Sequence, residues 1–471
     1  MAPGFVFYDL VFLALFTLGV VLFLYKRRKN LQRQGLLYLY RTKLGIKFIE
    51  WTSKRFPKTL NFLQYVVVTS GYILMIGMIY MLIRFSYFYL TSPFAAQALK
   101  VPVIVPLVPY LPEIFNLDFL PPFYFTYWII IIAIIAIPHE FAHGIFARLY
   151  KIKIHSTGFG FLGPFLAAFV EPDEKDMAKR KNFPQLTILA SGTFANIIFS
   201  IIFGLLFWLF FASAFAPAGV IFNSYATKAV PVAEISAIDG NSVFDLEDLE
   251  NFINESAKYA KIIVDNEILF VSSSTLLAAL ENDIDMIPAT LDSPAFRAEL
   301  SGAIKSIDKT EVRSFEELRA ILDEHGPGDE LVIETIQENN EIREYYVELA
   351  EFDGRAFLGI GVIEPQTRGV LGWLYGLIAR IKDPFIYYES SIGELGIFIY
   401  NLLWWCVLIS LSVALVNMLP LGMFDGGRFF YLSVLGLTGS KLTAERAFKT
   451  STYLILGLIV VLMIKWVLIF V

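Results

Sequence analysis

Long apolar runs alternate with polar segments along most of the chain, and this pattern predicts a bundle of membrane-spanning helices. A helix needs about 20 apolar residues to cross a hydrocarbon core about 30 Å thick. About six runs approach or exceed this length, at residues 5–25, 62–83, 123–150, 185–215, 393–419 and 453–471. Basic residues dominate positions 26–58, where Glu50 is the sole acid, so we expect that loop to be cytoplasmic and the N-terminus to lie outside.

Two segments interrupt this pattern with proline and glycine. Residues 91–122 contain seven prolines, which break any helix that could cross, so this segment is predicted to be an outer loop or a re-entrant cover. Residues 156–174 are interrupted by three glycines and Pro164. They predict a short hairpin or edge strand within the bundle.

Between residues 216 and 363 the composition becomes that of a soluble protein, and this block contains an internal repeat. The segment ISAIDGNSVFDLEDLENFI from Ile235 aligns with IKSIDKTEVRSFEELRAIL from Ile304, at an offset of 69 residues. Both segments predict a strand, a turn, a second short strand and an amphipathic helix. The segments around the second copy, including a closing FLGIGV, complete an order that resembles a PDZ domain. The first copy is less complete and is only PDZ-like.

These features predict a polytopic α-helical membrane protein with an inserted soluble tandem PDZ-like α+β block. Leu371, Leu374, Ile378 and Ile381 have helical spacing and add an interfacial helix on the outer leaflet. The predicted organisation is an N-terminal pair of spans (1–122), core helices with a membrane-embedded hairpin (123–215), a first PDZ-like module (216–296), a second PDZ module (297–365), the interfacial helix (366–393) and a last pair of spans (394–471).

Composition narrows the class of protein. Of the 471 residues, 56% are hydrophobic and 17% are charged, and the mean hydropathy of +0.61 excludes an ordinary soluble globule. The net charge of −6 averages two unlike regions. The one basic run adjoins a span, where anionic lipid headgroups account for it without nucleic acid. Cys406 is the single cysteine, which excludes an intramolecular disulfide framework.

The third apolar run contains HEFAH at positions 139–143, the HExxH pattern. Four residues advance a helix by about 400°, so His139 and His143 emerge one turn apart on one face and can hold one Zn²⁺. Glu140 then lies beside the metal as a general base. The chain has four histidines, so the pattern is rare by chance. The alternative is a pair of histidines hydrogen-bonded in a polar bundle core, which is costly inside an apolar helix.

A catalytic zinc site takes three protein ligands and leaves the fourth position to water or substrate. Asp425 is the predicted third ligand, because it ends the fifth apolar run. In the predicted topology this places Asp425 at the same depth in the membrane as His139. His155, at the membrane boundary, and His325, in the soluble repeat, are poor candidates. An aspartate in a helix-end turn is the alternative interpretation of Asp425.

HEFAH on one run and the pattern NxxPxxxxDG at 417–426 on a later run resemble the site-2 protease family of intramembrane zinc metalloproteases. In that family the two motif spans bracket another span and frequently a PDZ insertion, and the order here is similar. The resemblance implies that His139, His143 and Asp425 are the zinc ligands and that Glu140 is the catalytic base.

The same resemblance assigns two asparagines. The family's small-residue motif ending in Asn is similar to SGTFAN at 191–196, which implies that Asn196, like Asn417, donates a hydrogen bond to substrate. An interhelical hydrogen bond is an equal alternative for both. The chain departs from the family in having FDGG for the commoner LDG, in lacking the later prolines of that motif, and in having Thr193 where proline is frequent. The resemblance covers about residues 123–471.

The implied function is regulated intramembrane proteolysis, the hydrolysis of peptide bonds in transmembrane substrates with one Zn²⁺ per chain. Zinc lowers the pKa of its water toward about 7, and Glu140 removes the proton. A transmembrane helix must unwind before its carbonyls can react, and an edge strand can hold the unwound segment. We therefore expect residues 158–170 to clamp the substrate.

The expected partners are the lipid bilayer and membrane-anchored proteins such as single-span regulators, with no nucleic acid. The PDZ-like modules would face outward and sieve substrates or bind a peptide or new C-terminus, or they would serve only as a spacer. We expect a prokaryotic plasma membrane, with the active site within the membrane nearer its cytoplasmic side.

Other functions stay open on the sequence alone. A membrane metalloprotease of the prenyl-protein type also carries HExxH but takes its third ligand from a downstream Glu motif, a pattern absent from the apolar runs. A non-catalytic metal carrier or haem-anchoring protein would use His139 and His143 and would not need Glu140. A chaperone-like receptor would act through its outer modules.

Overall fold

A computed structural model describes residues 3–35, 37–92, 107–117, 120–162, 165–254, 257–282, 284–337, 340–364, 372, 376 and 379–468. The chain divides into two compact units. One unit comprises Met1–Phe211 and Glu394–Val471, and the other comprises Ala212–Gly393. The second unit corresponds closely to the block whose composition is that of a soluble protein.

The first unit is mainly helical, as its apolar runs predict. Its helices are α1 (Pro3–Arg27), α2 (Ile46–Arg55), α3 (Pro57–Thr91), α4 (Leu111–Ile114), α5 (Phe125–Leu149), α6 (Glu174–Ala178), α7 (Asn182–Ala214), α8 (Glu394–Asn417), α9 (Asp425–Thr438) and α10 (Lys441–Val467). Within the described part of the chain, six helices are long and apolar enough to cross a membrane, at Gly4–Asn30, Pro57–Thr91, Phe125–Leu149, Asn182–Ala214, Glu394–Asn417 and Lys441–Val467. The predicted membrane protein with a sheet-containing soluble block is therefore confirmed.

The ends of two spans differ from the predicted ones. Helix α3 begins at Pro57, because a proline in the first turn loses no helical hydrogen bond. Helix α10 begins at Lys441, twelve residues before the predicted start of the sixth span at residue 453. The side chain of Ser440 accepts a hydrogen bond from the N–H of Thr443 and caps this helix.

The glycine-rich segment forms the predicted hairpin, but in a larger sheet than expected. The strands are β1 (Leu31–Gln34), β2 (Leu37–Thr42), β3 (Ile154–Leu162) and β4 (Phe165–Pro172), and the described strands pair in that order. Strands β1 and β2 come from the basic segment, which the sequence predicted only as a loop. Gly158 allows β2 to approach, since a Cβ on it would lie 2.2 Å from the carbonyl oxygen of Tyr40. Among the described strands, β4 lies at one edge of this sheet.

Charged side chains inside the spans connect one helix to the end of another. Asp9 of α1 is 3% exposed, and its carboxylate accepts the backbone N–H groups of Phe125 at 2.8 Å and Thr126 at 2.9 Å. A helix start leaves such N–H groups unpaired, so α1 caps α5 and holds its beginning. Likewise, Lys465 of α10 donates to the carbonyl oxygen of Tyr89 at 2.6 Å, near the end of α3. These charges therefore have structural partners.

Helix α3 packs closely against two helices of the region that carries the predicted site. A Cβ on Gly71 would lie 2.9 Å from the Cβ of Ala190 in α7 and 3.1 Å from the ring of Phe429 in α9. Phe429 is fully buried and lies one turn after Asp425. The small residue at position 71 therefore lets α3, α7 and α9 meet.

The second unit is built mainly of strands. They are β5 (Phe215–Ile221), β6 (Ser224–Tyr225), β7 (Thr227–Pro231), β8 (Ile235–Ile238), β9 (Asn241–Ser242), β10 (Tyr259–Val264), β11 (Glu267–Ser272), β12 (Met286–Leu291), β13 (Ala303–Ile307), β14 (Thr310–Glu311), β15 (Glu330–Ile336), β16 (Ile342–Glu348), β17 (Ala350–Phe352), β18 (Arg355–Phe357), β19 (Ile360–Gly361) and β20 (Ile386–Ser390). Short helices lie at Leu246–Phe252, Ser273–Glu281, Pro294–Arg297 and Phe315–Asp323. Among described strands, one sheet has the order β7-β12-β11-β10-β8-β9 and another the order β16-β15-β13-β5-β20.

The two copies of the sequence repeat have the same local structure. Asp239 and Asp308, which are equivalent in the repeat, both have a φ of 46°. Each carboxylate accepts a backbone N–H from a neighbouring strand, that of Lys261 at 2.9 Å and that of Val332 at 2.8 Å. Both copies have the same order of elements: a strand, a tight turn that contains the aspartate, a second strand and a helix. The predicted repeat of elements is therefore confirmed.

The boundaries of the two modules differ from the predicted ones. Strand β5 falls in the predicted first module, yet Val220 pairs with Ile304 of β13 in the second. Strand β20 falls in the predicted interfacial helix, and it pairs with β5. Backbone pairing explains both, because β13 would otherwise present an unpaired edge. The sheet from β7 to β12 is thus inserted within the chain that builds the other sheet.

Two predicted segments lie partly outside the described residues. In the proline-rich segment, residues 93–106 are not described, and the later part contains the short helix α4. In the predicted interfacial helix, Leu371, Leu374 and Ile378 are not described, whereas Ile381 lies in a turn.

Candidate metal centre and active site

Helix α5 presents both histidines of HExxH on one face. His139 and His143 are one turn apart, and their exposed fractions are 7% and 9%. Their Nε2 atoms lie 3.1 Å apart. Ligand atoms of Glu140 and the two histidines all lie within 4.8 Å of one another. The expected convergence of the three side chains is therefore present in the structure.

The predicted third ligand comes from the start of α9. Oδ2 of Asp425 lies 3.5 Å from Nε2 of His139 and 3.3 Å from Nε2 of His143. Donor atoms about 2.0–2.2 Å from a tetrahedral zinc ion are about 3.3–3.6 Å apart. The triangle formed by these three donor atoms fits one zinc ion and leaves a fourth position open.

Asp425 lies at the start of a helix and not, as predicted, at the end of the fifth span. The fifth span ends at Asn417, and Asp425 begins the separate helix α9. A Cβ on Gly426 would lie 2.3 Å from the carbonyl carbon of Met418, and one on Gly427 would lie 2.3 Å from the carbonyl oxygen of Leu421. The two glycines let the first turn of α9 press against the preceding loop, which positions the carboxylate near α5.

Helix α7 orients the ring of His143. Nδ1 of His143 lies 2.6 Å from the carbonyl oxygen of Ile188. A carbonyl oxygen can only accept a hydrogen bond, so Nδ1 carries the proton and Nε2 keeps its lone pair. Metal-binding histidines commonly have such a partner on the second ring nitrogen.

Asn196 on the same helix contacts the other histidine. It is fully buried, and its side-chain amide lies 3.0 Å from Nδ1 of His139. With the amide nitrogen at this contact, Oδ1 has no hydrogen-bond partner among the described residues. With the amide oxygen at the contact, it accepts the Nδ1 proton and leaves Nε2 of His139 free. The resemblance implied a hydrogen bond to substrate, whereas this geometry suits orientation of the histidine.

Gly192 lies directly against both imidazoles. A Cβ at this position would be 2.4 Å from Nε2 of His143 and 2.6 Å from Nε2 of His139. No larger residue fits here without moving the rings. Gly192 lies in the small-residue segment SGTFAN, where the sequence analysis singled out the asparagine and not the glycine.

Glu140 is held by the sheet. The backbone N–H of Val170 in β4 donates to Oε2 of Glu140 at 3.0 Å. The edge strand and the predicted general base are thereby connected directly. Neither this contact nor the carbonyl of Ile188 is predictable from the sequence, because every residue except proline carries the same backbone N–H and C=O groups.

The remaining predicted residues are not brought into the donor cluster. Asn417 is half-buried at the end of α8. Nε2 of His155 lies 3.2 Å from Asp173, and Nε2 of His325 lies 3.8 Å from Asp308 in the second unit. The two histidines judged poor candidates thus have other partners.

Comparisons with known proteins give the family and the relatives of this chain. Residues 127–462 match the model of peptidase family M50. An uncharacterized protein of Methanocaldococcus jannaschii is 28% identical over 266 residues, which are 53% of this chain and 66% of the relative. A provisionally named zinc metalloprotease of Pasteurella multocida is 22% identical over 408 residues, 68% of this chain and 92% of the relative.

A third relative is the zinc metalloprotease RasP of Shouchella clausii, which is 25% identical over 185 residues, 33% of this chain and 44% of the relative. The chain therefore spans less than half of RasP and about two thirds of the archaeal protein. The family match covers well over half of the chain and includes both motif segments. This chain accordingly belongs to peptidase family M50, the site-2 protease family of membrane-integral zinc metallopeptidases.

Proposed function

We propose that this zinc metallopeptidase cleaves peptide bonds within the membrane, with His139, His143 and Asp425 as zinc ligands and Glu140 as general base. The observation that carries the proposal is the triangle of donor atoms, with sides of 3.1, 3.3 and 3.5 Å. A hydrogen bond between helices needs only two partners. Three side chains from two distant segments of the chain, with spacing suited to zinc, favour a metal site over a polar core.

Zinc bound at these donors supplies Lewis acidity and brings the pKa of a water molecule toward about 7. Glu140 takes the proton of the attacking water and passes it to the leaving amine. The N–H of Val170 holds Oε2 of Glu140, which leaves Oε1 for proton transfer. The protein therefore orients its base before substrate arrives.

The two asparagines have different roles in this proposal. Asn196 positions His139 through the contact with Nδ1 and so keeps Nε2 directed at the metal. Asn417 remains a candidate hydrogen-bond donor to the substrate, on the motif resemblance alone. A positioning residue should affect metal affinity first, whereas a substrate donor should affect cleavage.

The substrates are membrane-anchored proteins, and we propose single-span regulators among them. Strand β4 has a described partner strand on one side only, so its other edge can pair with an unwound substrate segment. The sheet is braced across β3, because Arg41 on β2 donates two hydrogen bonds of 2.9 Å to Glu171 on β4. These bonds and one from Ser156 hold the pKa of the Glu171 carboxyl below its ordinary value.

The proposed topology follows from charge and span number. The basic segment between α1 and α3 lies on the cytoplasmic side, and the unit Ala212–Gly393 lies outside a prokaryotic plasma membrane. Its repeated elements act as PDZ-like modules that bind a peptide or C-terminus, or that limit access by size. The active site then lies nearer the cytoplasmic side, since α5 runs inward toward Arg148 and Lys151.

The alternative functions have less support. Membership of family M50 disfavours the prenyl-protein type of metalloprotease, and Asp425 fills the ligand position that a downstream Glu would take. A metal carrier or haem anchor would not require a carboxylate oriented by the N–H of an edge strand.

The test is zinc content and cleavage in detergent-purified Glu140→Gln and Asp425→Ala, with a fluorescent single-span substrate. We expect about one zinc per chain in the wild type and in Glu140→Gln, with cleavage lost in Glu140→Gln. In Asp425→Ala both zinc and cleavage should fall. Glu351→Gln, at an exposed position of the second unit, is the matched control and should change neither.

Full zinc retention in Asp425→Ala would remove the third ligand from the proposal. Cleavage that survives in Glu140→Gln would remove the general base and reopen the carrier function.

A further inference from the structure

An apolar cavity of about 50 Å³ lies between α5 and the hairpin of β3 and β4. Its α5 wall lies on the N-terminal side of His139, and alanines line both walls. They are Ala133 and Ala136 on α5, and Ala167 and Ala168 on β4. Ile132 and Phe159 are among its larger lining residues. The cavity therefore adjoins both the active-site helix and the edge strand β4.

The hydrogen bond to Glu140 fixes which residues of β4 direct their backbone groups away from β3. In an antiparallel pair, alternate residues point their N–H and C=O groups outward. Val170 directs its N–H to Glu140, so Ala168 and Leu166 direct theirs to the same side. Both residues line the cavity. A strand added to this edge would therefore pass the cavity on its way to Glu140.

We propose that this cavity is a specificity pocket for a small aliphatic side chain of the substrate, two to four residues C-terminal to the scissile bond. The inference rests on the proposed proteolytic function. Two to four strand residues separate Val170 from Ala168 and Leu166, about 7–13 Å. All pairs in this sheet are antiparallel. A substrate that continues this order runs from the Glu140 end toward Phe165, so its residues after the scissile bond reach the cavity.

The volume selects the class of side chain. A protein cavity of about 150 Å³ binds benzene, so about 50 Å³ suits two or three carbon atoms. Alanine and valine fit this space, whereas phenylalanine does not. The described lining residues are all apolar, so a charged side chain would find no partner among them.

The test is kcat/KM for single-span substrates that carry Ala, Val, Leu or Phe at each position from four before to four after the scissile bond. With wild-type enzyme, Ala and Val should be cleaved about 10-fold or more faster than Phe at one position two to four residues after it. Ile132→Ala or Phe159→Ala should raise cleavage of the Phe substrate by enlarging the cavity. Ala136→Leu should slow the Val substrate and spare the Ala substrate. Ile134→Ala, on α5 outside the lining, is the matched control.

Equal kcat/KM for Ala and Phe at every position, or the same response in Ile132→Ala and Ile134→Ala, would overturn the inference. If kcat/KM depended on side-chain size only at positions before the scissile bond, the antiparallel orientation of the substrate, on which the inference depends, would be overturned. An equal change with all substrates in Ala136→Leu would assign the cavity to a lipid chain. No cleavage of any substrate by the wild type would overturn the proposed function itself, and this inference with it.

Discussion

Alanine at position 192 would place a methyl group between the two imidazoles of the metal centre. Its carbon would lie 2.4 Å from Nε2 of His143 and 2.6 Å from Nε2 of His139. Ordinary contacts of carbon are about 3.5 Å or longer, so both rings must move by about 1 Å. Zinc sites tolerate deviations of about 0.2 Å in ligand position. We therefore expect Gly192→Ala to disrupt the donor triangle.

The expected loss in zinc affinity is at least about 100-fold, since a displacement of about 1 Å can cost that factor in a positioned site. This corresponds to about 2.8 kcal/mol at about 1.4 kcal/mol per tenfold. The helix itself should not suffer, because replacing glycine with alanine in a helix interior is favourable by about 1 kcal/mol. Moving the rings weakens their contacts with Ile188 and Asn196, so the specific outcome is loss of zinc in an apoprotein that still unfolds in one cooperative transition.

The assay is chelator competition for zinc on detergent-purified protein, with thermal unfolding and substrate cleavage measured on the same samples. Gly204→Ala is the control, because it lies on the same helix and a Cβ there would meet nothing within 4 Å. A zinc affinity of Gly192→Ala within about threefold of the wild type would refute the reasoning, since 0.65 kcal/mol is too little for displaced ligands.

Three further variants test the surroundings of the site. Asn196→Ala should lower zinc affinity about 10–100-fold in chelator competition, while a raised KM with unchanged zinc would instead indicate a substrate contact. Gly71→Leu should destabilise the protein in thermal unfolding by about 1–3 kcal/mol through overpacking, whereas Gly77→Leu, in open surroundings, should not. Glu171 has a folded pKa below its ordinary 4.5, so its stabilisation is present above that value and is lost as the pH falls through the lowered pKa. Protection of the β4 amides from hydrogen exchange should therefore fall in the wild type as the pH is lowered from 6 to 3, and should stay constant in Glu171→Gln. The fall in protection free energy should be at most about 1 kcal/mol, because the pair with Arg41 is partly exposed.

Local patterns were enough to predict the elements and the metal chemistry. Hydropathy over about 20 residues finds a membrane span wherever its partners lie, because the bilayer itself is the apolar partner. The spacing of His139 and His143 fixes their common face, because helix geometry is the same in every sequence. The repeat at an offset of 69 residues predicts equal local folds for the same reason.

Sequence patterns did not predict strand pairing between segments that are far apart in the chain. Nothing near β2 indicates that it pairs with β3, and nothing near β20 indicates that it pairs with β5. Strand pairing depends on which edges are left open after the rest of the chain has folded. The basic loop and the interfacial helix were therefore only partly described by the sequence.

The sequence by itself determined that this protein has six apolar spans, an HExxH helix, a candidate aspartate and a repeated soluble block. Tertiary structure alone decided how the site is assembled, with Asp425 at the start of a new helix, Gly192 against both rings and Val170 on Glu140. The physical reason is that donor spacing of about 3.3 Å depends on backbone contacts between distant segments. Some of these contacts use backbone C=O and N–H groups, which nearly every residue carries. Others depend on a glycine that must lack a Cβ, and no local pattern distinguishes such a glycine from one that is merely tolerated.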